Sequence, residues 1–233
     1  NEIIISHVQA SNDTAKPLLR SKLFWIGILY FAEGFPLGVF YDVFPVHFRQ
    51  QGVDLSDIGF LSLLGLSWTL KFLWAPAIDH FRHHRRWMFF ADLFMGAILL
   101  LFAIHAGFAP WVWIAIGAFT LLSATNDIAI DGFTIEMLNK DEIGVANGMR
   151  NAFYRVGMLA SGFILILTDY VGWTGTYTAG AIILFLAGIA CLNAPPERTI
   201  KRDSTTTLSA EFKSLVNHPA AFATVVAFLL GAL

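Results

Sequence analysis

The sequence predicts an all-α, polytopic membrane bundle: six transmembrane helices as two inverted three-helix repeats, followed by the start of a seventh. Three observations predict it. Of 233 residues, 56% are hydrophobic and only 14% charged, with a mean hydropathy of +0.63; a soluble domain carries roughly 25% charge, and so little cannot cover a surface that faces water. Six apolar runs reach the roughly 20 residues that a helix needs to cross about 30 Å of hydrocarbon. Acids and bases buried in those runs occur in the same order twice.

Residues 1–22 are polar and lack the apolar stretch and cleavage site of a signal peptide, so a cytoplasmic amino-terminal segment is expected. The six-helix half-bundle then occupies 23–194, with helices over Leu23–Pro45, Ile58–Ile78, Trp87–His105, Trp111–Leu138, Val145–Thr168 and Trp173–Asn193. In the first helix, Pro36 removes the backbone bond to the Ala32 carbonyl, which predicts a kink at Gly34 and Pro36. In the fifth, Gly148, Gly157, Ser161 and Gly162 would let a neighbouring helix come close. Trp25, Trp87, Trp111, Trp113 and Trp173 fall at helix ends, where amphipathic rings prefer the headgroup region.

Residues 195–218 form a long basic linker. Leu208, Phe212, Leu215 and Val216 share one helical face there, which fits a short helix on the cytoplasmic leaflet as well as it fits a flexible connection. The apolar stretch 219–233 is too short to span at about 1.5 Å per residue and reads as the truncated start of helix 7. The chain is therefore expected to be the amino-terminal half of a longer protein, with the carboxyl-terminal half as its partner. Basic residues set the orientation. Lys16, Arg20, Lys22, Arg82, Arg85, Arg86, Lys140, Arg150, Arg198, Lys201, Arg202 and Lys213 fall on one side, against Arg49 on the other. The amino terminus is expected to be cytoplasmic.

Five charged residues lie inside the apolar runs: Glu33, Lys71, Asp127, Asp131 and Arg155. Each costs about 2.5–3.5 kcal/mol at a helix centre, so they must face one another or water. The first helix bears the acid Glu33 and the second the base Lys71; the fourth bears Asp127 and Asp131 and the fifth Arg155. Three helices per unit is an odd number, so the second unit is inverted, as in many secondary transporters. A polar chamber lined by helices 1, 2, 4 and 5 follows. These groups could be buried pairs that fix helix register, or a path for solute and protons. Three carboxylates meet two bases, leaving one without a fixed counter-charge where low dielectric penalises its ionised form. Asp127 and Asp131, four apart, share one helical face.

Trp74-Ala75-Pro76-Ala77-Ile78-Asp79, followed by His80-Phe81-Arg82-His83-His84-Arg85-Arg86, resembles the signature loop of the major facilitator superfamily. That resemblance implies a cytoplasmic gate made of Asp79 with Arg82, Arg85 or Arg86, and Glu136 as a partner from the end of helix 4. Three further stretches are similar to the peptide–acetyl-coenzyme A–drug transporter branch, which includes AmpG-like permeases: Lys71-Phe72-Leu73-Trp74-Ala75-Pro76, Ala124-Thr125-Asn126-Asp127-Ile128-Ala129-Ile130-Asp131-Gly132, and Asn147-Gly148-Met149-Arg150 through Tyr154-Arg155-Val156-Gly157. Membership implies a fold of twelve or more helices, alternating access by rocking, symport of a small-molecule solute with protons, no cofactor, and a place in the bacterial inner membrane.

Other chemistries find little support. A net charge of −2 excludes a nucleic-acid binder that relies on a basic surface. The single Cys191 excludes a disulfide within the chain and a multi-cysteine zinc site. His80-x-x-His83-His84 has the spacing of one histidine box of the membrane di-iron enzymes, but His7, His47, His105 and His218 are isolated, so no metal is expected. No phosphate-binding glycine loop is present to drive an ATP-powered pump. Secondary transport is the leading reading. The alternatives are a membrane-embedded enzyme acting on a lipid or acyl substrate, its catalytic cluster in the missing half, and a receptor that binds solute without moving it.

Overall fold

The computed structural model describes residues 22–81, 83–105 and 107–196. The expectations for the amino-terminal segment, for Arg82, for the linker and for helix 7 lie outside the described residues. Every regular element among the described residues is helical.

Apolar stretches of helical length give α1 (Lys22–Gln50), α4 (His84–Ile104), α5 (Trp111–Met137) and α7 (Thr168–Leu192). These four are long and apolar enough to cross a membrane. α1 runs through Gly34 and Pro36 without interruption and leaves α geometry just beyond them, in a π-helical turn at Val39–Val43. α6 (Ile143–Ile166) is 24 residues long but carries Arg150, Asn151 and Arg155, and it falls short of the apolarity of the other four.

The second expected helix is broken rather than straight. α2 (Leu55–Leu73) tightens into 3₁₀ turns at Leu63–Gly65 and Lys71–Leu73, and α3 (Ala75–Phe81) leaves it at 52°. Pro36 and Pro76 differ in consequence because of position. Pro76 lacks an N–H to continue the ladder from α2, but it fits the first turn of a new helix, where that N–H would have no partner. Taken together the bent pair makes a fifth candidate span.

α3 ends at Phe81 and α4 begins at His84. His83 adopts φ 60 and ψ 38, and its ring Nδ1 lies 2.7 Å from the Phe81 carbonyl oxygen. After α5, a 3₁₀ turn at Lys140–Glu142 is tied to the start of α1 by a 2.7 Å contact from Lys22 Nζ to Glu142 Oε2. Within α7, Gly172 has φ 67, which a side chain would disfavour, so the continuous helix starts at Trp173 where the sequence places it.

α4 packs along α7 and, next in extent, along α5. Glycines bring α1 and α6 together: a Cβ on Gly34 would run into the Tyr154 carbonyl oxygen, one on Gly38 into Ser161 Oγ, and one on Gly157 would sit 2.5 Å from the Phe31 carbonyl oxygen. The interior forms two apolar clusters. One contains Phe44, Phe48, Phe102, Phe119 and Tyr177; the other contains Ile26, Tyr30, Met88, Ile130 and Phe133. At the first cluster's end of the bundle, His47 bonds Tyr177 at 2.6 Å and Trp173 donates to Gln50 at 3.0 Å, joining α1 to α7. Glu33 falls between Tyr30 of one cluster and Phe35 of the other, and Asp127 likewise separates Phe119 from Ile128. The buried charges therefore lie along the seam where the two apolar clusters meet.

Candidate functional site

Three consecutive residues of α5 reach three different neighbours. Thr125 Oγ1 accepts from the Trp74 indole at 3.2 Å, which anchors the break between α2 and α3. Asn126 Nδ2 donates to Asp92 of α4 at 3.0 Å. Asp127 Oδ2 lies 3.6 Å from Lys71 Nζ. The break thus matters to the site: Lys71 opens the 3₁₀ turn just before Trp74, and that turn aims its amine at α5.

One helical turn later, Asp131 gathers three partners. Lys71 Nζ lies 3.9 Å from its Oδ2, Arg150 of α6 contacts its Oδ1 at 3.1 Å, and the Tyr30 hydroxyl donates to Oδ1 at 2.9 Å. Arg150 also lies over the Tyr30 ring, 4.9 Å from its centre, a cation–π contact. Glu33 is only 6% exposed and lies within Coulombic range of Asp127, Asp131, Arg150 and Lys71. Glu33 Oε2 and Asp127 Oδ1 are buried without a hydrogen-bond partner. Three carboxylates therefore meet two cations, and two carboxylate oxygens have no donor. A proton on either acid would supply the missing donor and remove the excess negative charge.

The cluster borders a cavity of about 260 Å³ between α1, α5 and α6. It is lined by Tyr30, Asp131, Thr134, Asn147 and Arg150 and extends to Lys140 at the end that carries the Lys22–Glu142 contact. A hydrated solute fragment has room there beside both charged and neutral donors.

At the same end, α3, α4 and α5 converge. Asp79 Oδ1 lies 3.9 Å from Nε2 of the buried His84. Gly132 admits the approach, because a Cβ there would stand 2.8 Å from His84 Nε2 and 3.4 Å from Asp79 Oδ1. Arg85 and Glu136 are half-buried nearby in sequence and Arg86 is exposed. Among the described residues, no group of three or more His, Cys, Asp or Glu is arranged to hold a metal ion.

Of the five charged residues expected to share a chamber, Glu33, Lys71, Asp127 and Asp131 come together and Arg155 does not. Arg155 is exposed on α6 and forms no ion pair among the described residues. Arg150, read from the sequence as an orientation marker, occupies the place beside Asp131. Tyr30, His84 and the Asp92–Asn126 contact are also additions. The stretches that carry the family resemblance contain Arg150, Asn126 and His84, whereas no motif pointed to Tyr30 or Asp92.

Comparison with known proteins gives a consistent result. The family model of the Major Facilitator Superfamily matches residues 24–233. The anhydromuropeptide permease of Escherichia coli (strain K12) is 35% identical over 188 residues, covering 74% of this chain and 37% of the relative. Putative transporter AmpG 4 of Rickettsia felis is 26% identical over 196 residues, 77% of this chain and 47% of the relative. Putative transporter AmpG 3 of Rickettsia prowazekii is 26% identical over 207 residues, 82% of this chain and 49% of the relative. The chain thus spans half or less of the length of these relatives.

Proposed function

The chain belongs to the major facilitator superfamily, and from that premise we propose that it is a secondary active transporter, moving a polar or amphipathic solute across the bacterial inner membrane by alternating access coupled to protons. The observation that carries this reading is the partly buried cluster in which Asp127 and Asp131 share Lys71, Asp131 also holds Arg150, and the buried Glu33 is close enough to feel all four charges. Such a cluster has two low-energy arrangements. With a proton on Glu33 or Asp127 it is neutral; without one it carries a net negative charge that a cation or a rearranged ion pair must offset. Solute polar groups entering beside Asn147 and Arg150 compete for the same partners, which links occupancy to protonation.

In this reading the amino terminus is cytoplasmic, and α1 through α4 and α5 through α7 are the two inverted repeats. Asp79, Arg82, Arg85, Arg86 and Glu136 form the cytoplasmic gate beside His84. Arg155 joins the path from the face of α6 that the described residues leave open. The E. coli relative is named for anhydromuropeptides, which makes an anhydromuropeptide the first solute to test.

The test is uptake by the intact transporter in proteoliposomes with and without an imposed pH gradient. Glu33→Gln fixes that group as neutral, and is expected to abolish acceleration of uptake by the gradient while leaving solute binding measurable. Asp131→Asn is expected to weaken binding by releasing Arg150. Uptake that ignores the gradient in the unaltered protein, or normal coupling in both Glu33→Gln and Asp127→Asn, would overturn proton coupling through this cluster.

A further inference from the structure

We propose that Asp92 is carried as the neutral acid and closes a two-bond acid–amide pair with Asn126, which holds α5 at the rotation that presents Asp127 to Lys71. Asp92 is fully buried on α4, 0% exposed. Its Oδ1 accepts the Asn126 amide at 3.0 Å; its Oδ2 has only the Cys191 thiol of α7, at 4.0 Å. Among the described residues no basic side chain forms an ion pair with it. On the α7 side it meets Gly188, where a Cβ would lie 3.1 Å from the Asp92 Cβ, so no cation reaches it from there.

An ionised carboxylate in this place would have one conventional hydrogen bond and no counter-charge, an arrangement that desolvation strongly disfavours. The second half of the argument lies on Asn126. Its Oδ1 is buried and has no donor, as long as Asp92 is counted as an acceptor only. A proton on Asp92 supplies the donor. A carboxylic acid and a primary amide can exchange two antiparallel hydrogen bonds, amide N–H to acid carbonyl and acid O–H to amide carbonyl, and this gives the Asn126 carbonyl its missing donor.

Its place in the fold makes this more than a core detail. Asn126 and Asp127 are adjacent on α5 and point to different helices, Asn126 to α4 and Asp127 to the Lys71 turn. α4 is in turn held by its extensive packing on α7. Fixing Asn126 therefore fixes the direction of Asp127 about the α5 axis. Asp92 is a positioning residue, with no contact to the charged cluster itself.

The pair makes a specific test possible in the intact transporter. Infrared spectroscopy should show a protonated-carboxyl stretch that disappears in Asp92→Asn and does not change across the neutral pH range. Asp92→Asn, which can still make both bonds with Asn126, should keep uptake within about twofold, with its pH profile unmoved. Asp92→Ala leaves Asn126 unsatisfied and should lower uptake about tenfold and shift that profile. The exchanged double variant Asp92→Asn with Asn126→Asp rebuilds the pair in reverse and should recover most of the uptake that Asp92→Ala loses. Absence of an Asp92 band, an Asn variant as impaired as the Ala variant, or an exchanged variant without recovery would each overturn the proposal. If the Ala variant does not fold, the infrared and exchange results decide alone. The infrared result is independent of transport, so it stands or fails separately from proton coupling at Glu33.

Discussion

Glu142 shows how a single carboxylate can be tied to two partners outside the membrane. Its Oε2 accepts from Lys22 Nζ at 2.7 Å and from the Asn139 backbone N–H at 2.8 Å. Burial acts to raise this carboxyl, but the hydrogen bonds from Lys22 and Asn139 together hold it below the usual carboxylate range. A folded value below the unfolded one, about 4.3, means that the contact stabilises the fold above that pH and that this contribution is lost as pH falls through the folded value. Glu142→Gln should therefore lower thermal stability at neutral pH by no more than about 1 kcal/mol, the range for a pair that water still reaches. The difference from the unaltered protein should vanish in acid; melting curves at neutral and acidic pH check this. Other residues differ in how much of their role the sequence carries. Glu33, Lys71, Asp127 and Asp131 stand out because charge inside an apolar run is costly wherever it occurs. Arg150 does not stand out, since an arginine early in a helix serves equally as an orientation signal. Asp92 and Asn126 are 34 positions apart, and nothing local in the sequence announces their contact.

At the scale of elements, the contact of α1 with α6 depends on backbone meeting backbone. A methyl group on Gly34 would collide with the Tyr154 carbonyl, which cannot swing aside as a side chain could. Gly34→Ala should destabilise the protein by about 1–3 kcal/mol or more, as overpacking does in well-filled interiors. Gly148→Ala, in open space, should be neutral or slightly stabilising because alanine favours the helix. Thermal stability by size-exclusion yield after heating separates the two. Hydrophobic runs persist whatever the local geometry, which is why α1, α4, α5 and α7, the four helices long and apolar enough to cross a membrane, fall on segments that the sequence marks. The sequence could not reveal the break at Trp74, because 3₁₀ turns leave the apolar run uninterrupted and differ little in energy from α turns. Pro36 and Pro76 look alike as letters; their effects separate only once it is known which one begins a helix.

For the whole molecule, the useful feature is that Cys191, the one thiol in these 233 residues, is buried. It should resist a membrane-impermeant maleimide, so a new cysteine is read against the labelling of the otherwise unaltered protein. Asn147→Cys, in the cavity, should be labelled only from the side that the cavity opens to, and Gly52→Cys, in the turn after α1, only from the opposite side. Comparing intact cells with inverted vesicles then gives the orientation directly. Labelling of both positions from one face would refute the proposed topology. Repeat symmetry is what the sequence suggests most weakly at this scale. It rests on a handful of charges, and one of them, Arg155, stands apart from the cluster that the other four form.

The short connection between Phe81 and His84 has a mechanical consequence. Two residues separate Phe81 from His84, so the ends of α3 and α4 can never be farther apart than about 11 Å, three extended backbone steps. They are leashed. Whatever displaces α3 at this end must drag α4 with it, and through their shared flank α7 as well. Motion here is then the tilting of a block rather than the peeling of one rod from its neighbours.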